Sequence, residues 1–237
     1  MADELLTVEG LESGYGQLQV LWGVELHVRE GETIVLLGSN GAGKTTLLKT
    51  LLGLIHAWRG SVRFRNEEIT HLPTDARVRR GIVYQSEMGV FADLSIEDNL
   101  DIGAQFLPRA EARERIAELY EIFPDLERRR REAAGSLSGG QRKMLGVAKA
   151  LAAKPHLLVM DEPSAGLSPL FVKEVVRVLS GFHHAPGLSL LIAEQNVKFL
   201  EIADRVYTLD GGRVGFNGSV DEARENDAIR RAYFGLK

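Results

Sequence analysis

Short apolar runs alternate with amphipathic stretches along most of the chain, which is the pattern of an α/β protein. The run Thr33–Leu37 predicts a buried strand, and the apolar stretch after it predicts a helix that begins near Lys44 and ends near Gly53. The same pattern predicts further strands at 61–64, 82–84, 157–162 and 189–193, and helices at 74–80 (capped by Thr74), 142–153 and 170–182. We therefore expect a mainly parallel core sheet with helices around it.

A small antiparallel layer is predicted beside this sheet. Segments 5–8 and 24–28 alternate apolar and polar residues, and they flank 13–16, which has the composition of a turn. Tyr15 lies there between two glycines, either as an aromatic ring that stacks on a purine base or as a surface turn residue, and spacing alone favours the surface turn. Segments 207–209 and 213–216 predict a hairpin, followed by a polar helical tail over 221–234.

A helical block interrupts the alternation of strands and helices. Helices are predicted over 95–105, which opens with Ser95 and has Asp98 three residues later, and over 109–123, after Pro108. The loop before them carries Met88, Val90 and Phe91, which act either as core anchors, the reading that composition favours, or as a docking surface for a partner helix. The arginine run 128–131 reads as a solvated helix face.

Composition excludes several classes of function. The chain has 237 residues, 44% of them apolar and 26% charged, and a net charge of −4, which gives no overall attraction to nucleic acid or anionic lipid. It has no cysteine, so it has neither disulfides nor a thiolate site, and a reducing compartment is expected. No apolar stretch reaches the roughly 20 residues of a membrane span, and the acidic start predicts no signal peptide.

The strand Thr33–Leu37 leads into a motif of the form G-x-x-x-x-G-K-[ST]. Glycines let the backbone point successive N–H groups at one anion, and the helix that follows adds the positive end of its dipole. Lys44 would neutralise the β- and γ-phosphates of a nucleotide, and Thr45 would hold Mg²⁺. The predicted phosphate loop consists of Gly38, Ser39, Asn40, Gly41, Ala42, Gly43, Lys44, Thr45 and Thr46.

Polar side chains stand at the ends of three other predicted strands. The strand 157–162 ends in Asp161 and Glu162, which point different ways if the pleat continues, so Asp161 suits Mg²⁺ and Glu162 suits a water that attacks the γ-phosphate. Gln85 and Gln195 follow two further strands, where an amide can reach Mg²⁺ or the attacking water. The candidates for catalysis are thus Lys44, Gln85, Glu162 and Gln195, and those for metal binding are Thr45, Gln85 and Asp161.

A second stretch combines a hydroxyl with two glycines just before the predicted helix 142–153. It consists of Leu137, Ser138, Gly139, Gly140 and Gln141. Such a helix start is a second place suited to an anion, although one phosphate site needs only one. Residues 137–141 therefore form either a helix cap or a surface that closes over a second nucleotide held by a neighbouring chain.

With the phosphate loop, 137–141 and 157–162 in this order, the chain resembles an ABC-transporter ATPase subunit from end to end. The resemblance implies the P-loop NTPase fold of ABC ATPases as a single domain, 1–237. In it, a core with an antiparallel β layer would span 1–85 and 154–237, and a helical subdomain would span about 86–153. It also implies ATP and Mg²⁺ as cofactors.

The resemblance assigns roles that spacing leaves open. It implies that Tyr15 stacks on adenine, against the surface reading, that Gln85 couples Mg²⁺ to the transport partner, and that 164–168 crosses a dimer interface. Two subunits would stack head to tail, with 137–141 of each as the signature that closes on the other's ATP. The permease's cytoplasmic helix would dock beside the loop after Gln85.

Two positions depart from the general family pattern. Ser168 stands where the interface segment usually ends in aspartate, and Gln195 stands where the switch residue is usually histidine. Glutamine can hydrogen-bond the γ-phosphate, but it carries no proton charge. The Glu-Gln-Asn sequence at 194–196, together with Ser-Ala-Gly-Leu-Ser-Pro at 164–169, is similar to the subfamily of ATPases that serve branched-chain amino-acid uptake and to their urea or amide relatives.

These features predict an Mg-dependent ATPase on the cytoplasmic face of the cell membrane. It would power an importer for branched-chain or related amino acids, with permease subunits, a second ATPase subunit and, indirectly, a substrate-binding protein as partners. The alternatives are a soluble ABC-type ATPase that acts on ribosomes or DNA, and a non-hydrolytic ATP-binding module. A single cassette without a coiled-coil insertion, a pI of about 5.9 and the absence of any nucleic-acid signal disfavour the first, and Asp161 with Glu162 disfavours the second.

Overall fold

Strands make up two sheets in the computed structural model, which describes residues 4–86, 89–182 and 187–233. Within those residues the strands are β1 (Glu4–Tyr15), β2 (Leu18–Arg29), β3 (Thr33–Leu37), β4 (Ala57–Phe64), β5 (Glu67–Glu68), β6 (Ile82–Gln85), β7 (Leu157–Asp161), β8 (Ser189–Glu194), β9 (Arg205–Asp210) and β10 (Arg213–Ser219). The helices are α1 (Lys44–Leu51), α2 (Thr74–Arg79), α3 (Ile96–Gly103), α4 (Arg109–Ile122), α5 (Pro124–Arg128), α6 (Gly139–Ala152), α7 (Pro169–Ser180), α8 (Val220–Glu225) and α9 (Asp227–Tyr233).

The larger sheet has the order β10-β9-β3-β8-β7-β6, and all its neighbouring pairs except β9 with β10 are parallel. The apolar runs that predict strands β3, β6, β7 and β8 are confirmed. Because these four strands run the same way, their carboxyl ends meet at one edge. Leu37 lies opposite Glu194 there, and Asp161 lies opposite Ala193.

The smaller sheet has the order β2-β1-β4-β5 and is antiparallel, as expected. The turn predicted at 13–16 lies later, at Gly16 and Gln17, since β1 runs through Tyr15 and pairs it with Leu18. Ser13 is fully buried, and its hydroxyl donates to the carbonyl of His56 and accepts from the hydroxyl of Thr50. These tertiary contacts keep the stretch extended in spite of its turn-like composition.

Buried apolar side chains form two clusters, one on each face of the larger sheet. One includes leucines of α1 together with residues of the smaller sheet, and the other includes residues of α3 to α7. The helical block is therefore packed on the face opposite α1. The helix over 95–105 is confirmed as α3, and Ser95 and Asp98 form the expected capping box.

Several helix boundaries differ from prediction. Helix α6 begins at Gly139 and not at Arg142, because Ser138 caps its first turn and bonds Gln141 reciprocally. Helix α2 is capped by Pro73 without a side-chain hydrogen bond, not by Thr74. The tail contains two helices, α8 and α9, whose described part ends before the predicted limit of 234.

The arginine run 128–131 is only partly a solvated helix face. Helix α5 ends at Arg128, so the other three arginines lie beyond it. Arg129 pairs with Glu132 at 2.7 Å, and its other terminal nitrogen donates to Gln141 Oε1 at 3.1 Å. This contact places Arg129 beside the first turn of α6, and not on a solvated helix face as predicted.

One buried arginine supports the carboxyl end of α1. Arg77 is 2% exposed, and its guanidinium donates to the carbonyls of Thr50 and Leu51 at 3.0 and 2.7 Å. It also donates to the carbonyls of Thr70 and Leu72. Burial lowers the pKa of Arg77 to about 10. The guanidinium thus satisfies carbonyls that a helix end leaves without partners.

Candidate functional site

The phosphate loop between β3 and α1 shapes an open cavity of about 260 Å³. Gly41 and Gly43 have φ angles of 81° and 105°, a region that side-chain-bearing residues rarely adopt. Gly43 is also the N-cap of α1, which has no side-chain cap, so its first N–H groups face the loop. The cavity is lined by Val20, Ser39, Asn40, Gly41, Gly43, Lys44, Thr45, Thr46 and Glu162.

Lys44 lies buried at the centre of this loop. Its ammonium group donates to the carbonyls of Gly38 at 2.7 Å and Ser39 at 3.1 Å, and it pairs with Glu162 Oε1 at 3.1 Å. Its side chain is 3% exposed, whereas that of Glu162 is 29% exposed. The loop therefore presents a cation at the mouth of a helix, and in this structure Glu162 neutralises it.

The two adjacent carboxylates point to different partners. Asp161 Oδ1 accepts from the Thr45 hydroxyl at 3.2 Å, and its Oδ2 accepts from the Tyr84 hydroxyl at 2.9 Å. Glu162 follows the end of β7 with a φ of 47°, a strained conformation for a residue with a side chain. This left-handed backbone, and not continued strand alternation, is what separates the two carboxylates.

Gln195 joins the phosphate loop to Glu162. Its side-chain amide donates to Asn40 Oδ1 at 2.7 Å and to Glu162 Oε1 at 3.3 Å. The buried carboxylate of Glu194 holds the same loop, since it accepts from the backbone N–H groups of Gln195 and Asn196. Its other oxygen accepts from the N–H of Ser164 at 2.7 Å, so one carboxylate joins the loops that follow β7 and β8.

Gln85, Tyr15 and residues 137–141 do not line the phosphate cavity. The Gln85 amide donates to the carbonyl of Ser86, and its buried Oε1 has no hydrogen-bond partner among the described residues. Gln85 lines a separate cavity of about 340 Å³ together with Gly139 and Gly166. Tyr15 is 48% exposed at the end of the first hairpin. Residues 137–141 start α6, where Ser138 is the cap.

Thr45 and Asp161 fit a magnesium site. The Thr45 hydroxyl and a carboxylate oxygen of Asp161 lie 3.2 Å apart at the edge of the cavity, and oxygen ligands are those that Mg²⁺ prefers. Within 4–86, 89–182 and 187–233, no group of three or more His, Cys, Asp or Glu residues could hold a metal. Mg²⁺ at this place would therefore take its other ligands from water and phosphate, as it commonly does.

Three contacts of the site were missed by sequence reasoning. The Tyr84 hydroxyl donates to Asp161 on the neighbouring strand, and the Glu194 carboxylate accepts from the backbone N–H of Ser164 in the loop after β7. Val20 lines the phosphate cavity near Gly43. Burial and the nearby Asp161 carboxylate raise the pKa of the Tyr84 hydroxyl, so it stays a hydrogen-bond donor. The sequence signal that could have identified Tyr84 is its position, since it places a polar aromatic side chain directly before Gln85.

A second groove of about 350 Å³ lies beside the loop after Gln85. Phe91 and Phe106 line it and are 50% and 45% exposed. Cations stack on both rings, with the Lys149 ammonium 4.4 Å from the centre of Phe91 and the Arg79 guanidinium 4.7 Å from that of Phe106. Val90 also lines the groove, while Met88 lies outside the described residues.

Comparison with known proteins gives full-length relatives. The family model described as ABC transporter matches residues 21–165. The chain is 36% identical to the high-affinity branched-chain amino acid transport ATP-binding protein BraG of Pseudomonas aeruginosa, over 98% of this chain and 100% of BraG. It is 37% identical to a probable branched-chain amino acid transport ATP-binding protein, LivF, of Archaeoglobus fulgidus, over 98% and 99% of the two chains. It is 35% identical to the lipopolysaccharide export system ATP-binding protein LptB of Escherichia coli, over 97% of each chain.

The structure also superposes on solved cassettes. A crystal structure of the ADP conformation of an ATP-binding cassette from an ABC transporter matches with a TM-score of 0.85 and 26% identity, over 99% of this chain and 100% of that one. None of the helices in the described part of the chain is both long and apolar enough to cross a membrane. The chain belongs to the ABC transporter family, as one of its ATP-binding and ATP-hydrolysing cassettes.

Proposed function

We propose that this cassette powers an importer for branched-chain amino acids or for related amino acids and amides. The observation that carries the ATPase part is the cluster of Lys44, Glu162 and Gln195 at the mouth of the phosphate loop. The substrate part rests on near-complete alignment with BraG and LivF, which are named for branched-chain amino acid transport. LptB, at 35% identity, is named for lipopolysaccharide export, so the substrate requires a direct test.

ATP binding begins with an exchange of partners at Lys44. The ammonium group leaves the Glu162 carboxylate, 3.1 Å away, and neutralises the β- and γ-phosphates. Backbone N–H groups of the loop and the start of α1 hold the same phosphates. Tyr15, exposed at the hairpin end, stacks on adenine and contributes about 1–3 kcal/mol.

Glu162 then acts as the general base for hydrolysis. Its freed carboxylate accepts a proton from the water that attacks the γ-phosphate, and the Gln195 amide, bonded to both Asn40 and Glu162, orients that water and the γ-phosphate. Thr45 and Asp161 would hold Mg²⁺, which would supply charge neutralisation of the phosphates. Gln85 couples this site to the transport partner, and its buried Oε1, which has no hydrogen-bond partner within 4–86, 89–182 and 187–233, would gain one when the loop moves for that contact.

A second subunit completes each site. We place Ser138 and the first turn of α6 against ATP held by the partner, since the start of this 14-residue helix is suited to phosphate and lies apart from the phosphate loop of its own chain. Residues 164–168 lie at the dimer interface, where Glu194 links Ser164 to the Gln195 loop. Ser168 caps no N–H of α7 with its side chain.

The groove with Phe91 and Phe106 is the proposed docking place of the permease's cytoplasmic helix. It offers apolar surface beside two cations, Lys149 and Arg79, which suits an amphipathic helix with acidic residues. Membrane association then depends on this contact, at the cytoplasmic face. An ATPase that acts on ribosomes or DNA would have no permease helix to bind in this groove.

The test is co-purification of the Glu162→Gln variant from its native membrane, with partners identified by mass spectrometry. A base-deficient cassette should retain ATP and stay dimeric, so the expected partners are a permease, a second ATPase subunit and, through the permease, an amino-acid-binding protein. A second arm adds Val90→Ser and Phe91→Ser, which should release the permease but not the second ATPase. Ribosomal or DNA-repair proteins would refute the transporter reading, and lipopolysaccharide-export components would refute the substrate.

A further inference from the structure

Tyr84 and Asp161 lie on neighbouring strands of the larger sheet. In the register between β6 and β7, Tyr84 is opposite Val159, two residues before Asp161. The Tyr84 hydroxyl crosses this interval and donates to Asp161 Oδ2 at 2.9 Å. The other oxygen of the same carboxylate, Oδ1, is the one that faces the Thr45 hydroxyl at 3.2 Å. The two oxygens of Asp161 therefore have separate partners.

The surroundings of Tyr84 keep this hydrogen bond in one direction. The tyrosine ring is partly buried and packs against the apolar cluster that includes the leucines of α1. In this contact the Tyr84 hydroxyl donates and the carboxylate oxygen accepts. Asp161 itself is only 7% exposed, so water replaces this donor poorly.

We propose that Tyr84 is a positioning residue that holds the Asp161 carboxylate with Oδ1 turned toward Mg²⁺. A carboxylate can rotate about its last bond and present either oxygen or both to a cation. The Tyr84 hydroxyl occupies Oδ2 and fixes that rotation, so that Oδ1 stays beside Thr45. Partners of this kind, which bind a metal ligand and not the metal, commonly change metal affinity about 10- to 100-fold. The inference rests on the proposed magnesium site.

The variant Tyr84→Phe removes only the donor. The ring keeps its packing, and Asp161 Oδ2 becomes a buried acceptor without its partner. We expect the Mg²⁺ concentration that half-saturates nucleotide binding to rise about tenfold. Nucleotide binding in the absence of divalent cations should not change, because Tyr84 is not among the described residues that line the phosphate cavity.

The experiment measures binding of the non-hydrolysable analogue AMP-PNP during Mg²⁺ titration, so turnover plays no part. Tyr120→Phe is the matched control, since the Tyr120 hydroxyl is buried in α4 without a hydrogen-bond partner in the described part of the chain. Tyr120→Phe should match the wild-type chain, and Asp161→Asn should lose most of the Mg²⁺ dependence. Thermal melts confirm that each variant is folded.

The outcomes separate the two proposals. A wild-type chain whose AMP-PNP binding ignores Mg²⁺ would overturn the magnesium site itself. If the wild-type chain depends on Mg²⁺ and Tyr84→Phe has the same titration midpoint, the positioning role alone is wrong. Equal loss of binding with and without Mg²⁺ in Tyr84→Phe would also overturn it, because that result indicates a general structural role. A tenfold shift confined to the Mg²⁺ midpoint supports it.

Discussion

Glutamine at position 195 makes this site different in one respect from a site with histidine. Its amide bonds Asn40 and Glu162 at once, and an amide keeps this geometry at every pH near neutrality. An imidazole in its place would change charge near pH 6.5. The γ-phosphate contact proposed for Gln195 would therefore be one of orientation, without a charge that varies with pH.

Replacing Gln195 with alanine tests that role. Because the amide is expected to donate only where charge develops at the γ-phosphate, its loss should lower kcat about a hundredfold. Binding of AMP-PNP, which depends on Lys44 and the loop, should change little. Steady-state ATPase assays and equilibrium binding measure the two effects.

The control for this substitution is Gln105→Ala, at an exposed glutamine beyond α3 that lies away from the phosphate cavity. The Gln105→Ala substitution should change neither the kcat for ATP hydrolysis nor the affinity for AMP-PNP of the isolated cassette. An unchanged kcat in Gln195→Ala would mean that Asn40 and Glu162 keep their places without the amide.

At the level of residues, the sequence predicts the motif positions better than their contacts. The phosphate loop can be read directly, because glycine, lysine and threonine occur at fixed spacing next to a buried strand. The hydrogen bonds from Tyr84 to Asp161 and from Ser164 to Glu194 cannot, because each joins residues that become neighbours only through the strand order of the sheet. No local pattern records that order.

Among the elements, α1 depends on support at both ends. Its first turn is open toward the phosphate cavity, and its last carbonyls are held by the buried Arg77 guanidinium. This buried cation is tolerated because four of its five N–H groups donate to carbonyl oxygens. This contact joins α1 to α2, and it fixes the helix that carries Lys44 and Thr45.

The variant Arg77→Met should destabilise the fold by about 2–4 kcal/mol, since it removes the guanidinium that donates to the carbonyls of Thr50, Leu51, Thr70 and Leu72. Urea denaturation followed by circular dichroism measures this change. Arg79→Met, on the exposed side of the same helix, should cost less than about 1 kcal/mol. Similar losses in both variants would show that the buried contacts of Arg77 carry no special weight.

Element boundaries were predictable where the local signal and the tertiary contacts agree. The capping box of Ser95 and Asp98 is such a case, since its residues lie only three positions apart in sequence. The turn predicted at 13–16 lies later, at 16–17, and α6 begins earlier than predicted, for opposite reasons. The buried hydrogen bond of Ser13 keeps a turn-like sequence extended. The cap by Ser138 stabilises a helical conformation at Gly139 and Gly140, which the prediction had placed before the helix. The division into a core and a helical subdomain stays a prediction.

For the whole molecule, Ser138 allows helix capping to be separated from dimer function. Ser95 and Ser138 cap α3 and α6 with the same reciprocal bonds to the third residue of the helix. Replacing either with alanine should lower the free energy of unfolding by about 1 kcal/mol. Only Ser138→Ala should weaken ATP-dependent dimerisation of a Glu162→Gln background, because only Ser138 is proposed to face the partner's ATP.

Analytical ultracentrifugation with and without ATP, beside denaturation curves, measures both effects. Equal dimerisation of the two alanine variants would contradict the cross-subunit role of 137–141. Unequal stability losses would show that the two caps differ for reasons unrelated to the partner.

The ion pair between Lys44 and Glu162 places a carboxylate of the chain's own beside the ammonium group of the phosphate loop. Nucleotide binding is then a competition between two anions for one ammonium group. Removing the charge at position 162 favours the nucleotide in that competition, separately from any effect on hydrolysis. The Glu162→Gln cassette should therefore bind AMP-PNP, which no base can turn over, more tightly than the wild-type chain, and the difference should shrink as added salt weakens the internal competitor.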